Sequence, residues 1–262
     1  MNRIKISPLA LHPIVENDTS EPDNAETLTQ KLTTSLESSD VLNLEIGNTA
    51  TFSMADSCLF VPLHYEKNYR YPLVVWLHNN GDDPQQMHRI MPNLSLQNFV
   101  AVSPSAAIGN RHTGFYWDQD PSSIDYASDA VLQSIDYAMA RTNIASDRIF
   151  IAGYGDAGTM AFRVALTHPD LFSGVASLNG PLPEGNAPFG RWGTSKNVEV
   201  FWGHCRNSID FDQEQLCEQL RLLHVAGFSV TLRQYPGHDE LAPPALADLN
   251  RWIMEMIDTT IS

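Results

Sequence analysis

The chain has 262 residues, of which 43% are hydrophobic and 18% charged, with a net charge of −15. That size and mix fit one globular α/β domain, or one domain plus an arm, with a sizeable core. The acidic balance argues against nucleic acid and anionic membrane as partners, because phosphate contacts need clustered Lys and Arg.

The first segment, MNRIKISPLALHPIV, is interrupted by Ser7, Pro8, His12 and Pro13 and has no signal-peptide apolar region. No stretch approaches the roughly 18 apolar residues of a membrane helix. The expectation is therefore a cytoplasmic protein without a membrane span. Three cysteines, Cys58, Cys205 and Cys217, are too few for a disulfide framework and read as reduced side chains. Residues 15–40 hold seven acids and one base among Ser, Thr and Asn, a composition that predicts an acidic, partly disordered N-terminal arm over 1–45. Within it, Leu28, Leu32 and Leu36 recur at helical spacing.

From about residue 41 the pattern is regular, and residues 46–262 are expected to form one domain. VLNLEI and SCLFVPL read as strands, followed by YPLVVWLH at 71–78, which ends in the turn NNGDD. FVAVSPS at 99–105 is a further strand. Residues 122–143 carry Ile124, Ala127, Val131, Ile135 and Met139 at helical spacing. RIFIAGYG is a strand, and AGTMAFRVALTHP a helix stopped by proline. GVASLNG and VEVFWGH are strands, QEQLCEQLRLLHVAG a helix closed by glycine, SVTLRQYPG a strand, and residues 241–257 contain the last helix. Short apolar strands alternating with amphipathic helices predict an α/β fold with a mainly parallel sheet covered on both faces. Sites in such sheets lie at the carboxyl ends of strands.

Four of those ends carry the residues of interest. RIFIAGYGDAGTMAF has the outline of a nucleophile elbow, G-x-S-x-G, but its five positions are Gly153, Tyr154, Gly155, Asp156 and Ala157. YPLVVWLHNNGDD, VEVFWGHCRNSIDFDQEQL and VTLRQYPGHDELAPPALADLNRWI are the other three. Together these segments resemble the α/β-hydrolase fold, in particular the phospholipase/carboxylesterase and polyhydroxybutyrate-depolymerase-like esterases, over roughly residues 50–258. The resemblance implies an oxyanion strand and loop (usually L-H-G-x-G), an elbow, an H-G-x-x-D loop carrying the triad acid, and a final loop carrying the base.

Carried over residue by residue, His238 occupies the base position. Gly155 stands at the nucleophile position and has no side chain. Arg206 falls at the acid position with the wrong charge, and in the oxyanion loop His78 is kept but Asn79 replaces glycine. Serine-hydrolase chemistry needs a nucleophile, a base and an acid that orients the base, so the triad is degenerate. The leading reading is a non-catalytic homologue that binds a small ester-like molecule or a protein. The alternative is an active ester hydrolase with an atypical constellation of Asp156 and His238. In that register bulky Tyr154 would sit where a small residue is needed, and Asp156 also reads simply as an acid favoured at a helix N-terminus. Glu184, Asp210, Asp239 and Glu240 are candidate substitutes for the missing acid. His204, Cys205 and His238 match no zinc spacing, and the reading calls for no metal and no cofactor. Oligomeric state has no signature in the sequence.

Overall fold

The computed structural model describes residues 4–6, 57–185 and 198–261. The expected strand VLNLEI and the leucine-spaced helix of the arm lie outside these residues. Eight strands form the main sheet: β1 (Ile4–Ile6), β2 (Cys58–Phe60), β3 (Tyr71–Leu77), β4 (Val100–Ser103), β7 (Ile144–Tyr154), β8 (Gly174–Leu178), β9 (Glu199–Cys205) and β10 (Val230–Tyr235). Their order is β1-β10-β9-β8-β7-β3-β4-β2. Every pairing is parallel except that of β2 with β4. β1 falls within the expected arm, where it pairs through Ile4 with Val230 on β10.

The helices are α1 (Met87–Leu94), α2 (Pro121–Arg141), α3 (Asp156–Thr167), α4 (Gln213–Ala226) and α5 (Pro243–Ile261). Side chains alternate across each strand, so one strand feeds two cores. On β3, Leu73, Val75 and Leu77 pack with α2, α3 and α4, while Val74 and Trp76 pack on the other face with α1 and α5. That two-sided burial explains why β3 and β4 read as unbroken apolar runs.

Two elements were not visible in the sequence pattern. α1 follows a short 3-10 turn at Pro84–Gln86 capped by Asp83, and it holds Pro92 in its interior, which masks the helical signal. A hairpin of β5 (Ile108–Asn110) and β6 (Gly114–Tyr116) docks on the turn after β3 through Asp82 and Phe115. Gly114 is required there, since a Cβ would lie 2.1 Å from the Gly81 carbonyl oxygen.

Candidate functional site

Gly155 follows β7 and caps the start of α3, with φ 58° and ψ −129°. Few side chains adopt that backbone without strain, and glycine does so freely. The turn is tight on its inner side. A Cβ on Gly153 would lie 2.5 Å from the Ala157 carbonyl carbon, and one on Gly158 would lie 2.4 Å from Ser177 Oγ. On its outer side the space is open: a Cβ on Gly155 meets nothing within 4 Å. A strand, a tight turn and a helix follow one another here, with Gly155 at the turn.

Above the elbow lies the turn after β3. His78 is fully buried and packs against Trp117, with ring centroids 5.0 Å apart and the planes tilted by 36°. Its Nε2 accepts from the Ala106 N–H at 3.2 Å, so Nδ1 carries the proton and donates to the Asn79 carbonyl at 2.9 Å. Burial holds this imidazole below its ordinary pKa, against the opposing pull of the Asn79 carbonyl, Asp82 and Asp83. His78 is thus a neutral structural group that shapes the turn.

The main chain of Asn79 is committed as well. Its N–H donates to Gln86 Oε1 at 3.1 Å, and the same oxygen accepts from Trp76 Nε1 at 2.9 Å. Gln86 in turn donates to Asp82 Oδ2 at 2.8 Å. Asn80 then ties the turn to the elbow, donating from Nδ2 to Asp156 Oδ2 at 2.6 Å and accepting at Oδ1 from the Trp117 N–H at 2.8 Å. Burial raises the Asp156 pKa; Asp210 and Asp118 add to this, and the bond from Asn80 opposes it. Gln86 and Asn80 escaped sequence reasoning, because nothing in NNGDDPQQ says which amide turns inward.

His238 lies on the loop after β10 and is exposed. Its Nδ1 meets the Asn207 main-chain carbonyl at 3.0 Å. A carbonyl only accepts, so Nδ1 is protonated and Nε2 is the ring's acceptor nitrogen. The partner expected in a triad is a carboxylate, and here it is backbone. Arg206 is exposed, and its N–H donates to the Tyr235 carbonyl at 2.9 Å, continuing the β9–β10 ladder past its last pair. Counted from His204, the H-G-x-x-D spacing ends on Ser208 rather than on Arg206. His204 itself is buried and bonded through Nε2 to the Phe211 carbonyl at 2.9 Å, and burial lowers its pKa.

Among the four candidate substitute acids, Asp239 is the one joined to this loop. Its Oδ1 accepts from Ser208 Oγ and from Asn179 Nδ2, and its Oδ2 accepts from the Ile209 N–H at 3.0 Å. Asn179 sits at φ 56° after β8, and its Oδ1 accepts from the Cys205 N–H at 3.1 Å. Partial burial pushes the Asp239 pKa up, but these hydrogen bonds and the nearby His238 outweigh it and hold the carboxyl low. Glu184 contributes only its carbonyl, which accepts from the buried Arg163 at 2.6 Å. Asp210 and Glu240 are exposed. Beneath the loop, Tyr154, Asn179, Cys205 and Tyr235 help to enclose a cavity of about 10 Å³, at the lower limit for one water. No group of three or more His, Cys, Asp or Glu suited to a metal occurs among the described residues, and no described helix is long and apolar enough to cross a membrane.

Comparison with known proteins bears on the fold and the family. The family model described as phospholipase/carboxylesterase matches residues 64–256. A protein of Oryza sativa subsp. japonica named as a probable carboxylesterase is 26% identical over 204 residues, which cover 69% of this chain and 76% of that one. NocK of Nocardia uniformis subsp. tsuyamanensis is 29% identical over 119 residues; the match covers 43% of this chain and spans only 33% of NocK. Among solved structures, SOBER1 of Arabidopsis thaliana superposes with a TM-score of 0.61 at 22% identity, covering 71% of this chain and 99% of that one. A Bacillus cereus carboxylesterase gives a TM-score of 0.61 at 12% identity, over 76% and 93% of the two chains. The order of strands, the elbow after β7 and the family match over most of the sequence lead to one conclusion: the chain belongs to the phospholipase/carboxylesterase family of α/β-hydrolase-fold proteins.

Proposed function

We propose that this protein is a non-catalytic member of its family, which binds a small ester-like ligand or a protein partner at the carboxyl edge of the sheet. One observation carries the reading: the elbow position is Gly155, a residue with no hydroxyl or thiol of its own. Two others support it. The Asn79 N–H, on the oxyanion turn, is spent on Gln86, and the His238 Nδ1 is bonded to a carbonyl rather than a carboxylate. Loss of the nucleophile alone costs about 10⁶ in turnover in a well-studied protease.

The test is p-nitrophenyl acetate hydrolysis by the wild type, His238→Ala and Asp156→Asn, with binding of the same ester followed by stopped-flow fluorescence of the tryptophans. The reading expects binding, with p-nitrophenolate release no faster than in the His238→Ala protein. Wild-type turnover that Asp156→Asn abolishes would overturn it and establish the Asp156/His238 constellation.

A further inference from the structure

The acid of the H-G-x-x-D pattern belongs at position 208, on the loop after β9, and position 208 is a serine. The space around that serine still contains a carboxylate, but it arrives from the other loop. Asp239, one residue past His238, reaches across so that its Oδ1 takes the Ser208 hydroxyl and its Oδ2 takes the Ile209 N–H at 3.0 Å. Ser208 Oγ also accepts from Asn179 Nδ2 at 3.1 Å and from the Phe211 N–H at 3.0 Å, so its hydrogen-bonding capacity is full.

The two loops are joined along their length. Arg206 N–H bonds to Tyr235 O at 2.9 Å, Asn207 N–H to Gly237 O at 3.1 Å, and His238 Nδ1–H to Asn207 O at 3.0 Å. The carbonyl that orients His238 thus belongs to the residue just before those that Asp239 fixes.

We infer that the triad acid has been exchanged between the loops: Asp239 has taken over the place of the carboxylate lost at 208, and acts as a positioning residue that presents His238 through the Asn207 carbonyl. The exchange keeps one negative charge beside position 208 and leaves the imidazole in its Nδ1–H tautomer. It is independent of whether the chain turns over a substrate or only binds one. It also explains why neither Arg206 nor Ser208 needs to carry a charge complementary to His238.

The experiment is a reciprocal swap in the full-length chain: Asp239→Ser, Ser208→Asp, and the two together. Melting temperature and the ring ¹⁵N shifts of His238 are read for each. Asp239→Ser removes the carboxylate, and Ser208→Asp sets two carboxylates against each other. Each single variant is expected to melt about 5 °C or more below the wild type, with Asp239→Ser mixing the two tautomers. The swap is expected to recover most of the melting temperature and the single Nδ1–H signature. A swap that melts as low as the sum of the two singles, or a His238 tautomer unmoved by Asp239→Ser, overturns the inference. If Asp239→Ser does not fold, Asp239→Asn carries the tautomer reading: mixing of the two forms supports the inference, and an unmoved signature overturns it.

Discussion

On the reading proposed above, the elbow after β7 and the paired loops after β9 and β10 depart from a serine-hydrolase triad by different routes. At the elbow the loss is a subtraction. Gly153, Gly158 and the backbone of Gly155 keep their tight geometry, and the outer side is left open. At the loops the loss is a replacement. A carbonyl, Asn207 O, stands where a carboxylate is expected, and Asp239 joins the two loops through Ser208 and the Ile209 N–H. The elbow holds its shape through close packing against Ala157 and Ser177, which does not depend on the reacting residue. The loops have no such packing, since most of their residues are exposed, and they depend on polar bonds. A site can therefore lose its nucleophile with little structural cost, whereas losing its acid requires new bonds.

The sharpest way to break that contrast is to crowd the inner side of the elbow. Gly153→Ala puts a Cβ 2.5 Å from the Ala157 carbonyl carbon, where only backbone can yield. The expected cost is about 3 kcal/mol or more, which lowers the melting temperature by roughly 6–12 °C in calorimetry. A loss under about 2 °C would show that the elbow is not held by that approach.

Next in size is Asp239→Asn. It converts charge-assisted bonds into neutral ones and turns an amide donor toward the Ile209 N–H, at a cost of about 1.5–3 kcal/mol. The pH dependence has a definite sign. A carboxyl held below its unfolded value of 3.8 contributes stability above that pH and loses it as the pH falls through the folded value. The gap in melting temperature between wild type and Asp239→Asn should therefore be full at pH 6 and close below about pH 4. A gap that stays constant down to pH 2.5 would contradict the role given to the charge.

Gly155→Ser sharpens the other half of the comparison. The Cβ has room, so the cost is backbone strain alone, on the order of 1–3 kcal/mol. The restored hydroxyl should give little ester hydrolysis, because no carboxylate bonds His238 directly; in a serine protease the loss of that contact costs about 10⁴ in turnover. Turnover at the level of a family esterase would mean that the Asn207 carbonyl suffices.

The smallest effect belongs to Asp156→Asn. A carboxyl whose folded pKa is raised contributes stability below its unfolded value of 3.8, and loses it as the pH rises through the folded value. At pH 7 the asparagine variant should therefore melt about 1–2 °C above the wild type, and the advantage should vanish below about pH 4. A lower melting temperature at pH 7 would mean that the helix end favours the anion more strongly than burial, Asp210 and Asp118 oppose it.

Most of the sheet was legible in the sequence because its strands are buried on both faces and read as apolar runs, as in YPLVVWL and VEVFWG. α1 was not, because eight residues with Pro92 among them carry too weak a period. The hairpin at 108–116 was hidden because β5 is exposed throughout and has no alternation to detect. At the site, Gly155 and His238 could be located from their motifs. The partner of His238 could not, since a main-chain carbonyl leaves no trace in side-chain identity. Asp239 stood among four candidate acids, and only the fold shows it reaching Ser208 and Ile209. Asn179 did leave a signal: Asn-Gly after a strand is the pair expected where the backbone turns through positive φ.

The central claim, that this fold carries an elbow without a nucleophile, is tested most directly by intact-protein mass spectrometry after exposure to a fluorophosphonate probe. A serine hydrolase that reacts with fluorophosphonates serves as the positive control. The account predicts that the wild-type chain keeps its unmodified mass while the control gains one probe. A single stoichiometric adduct on the wild type, mapped by fragmentation to any serine or to Asp156, would contradict it.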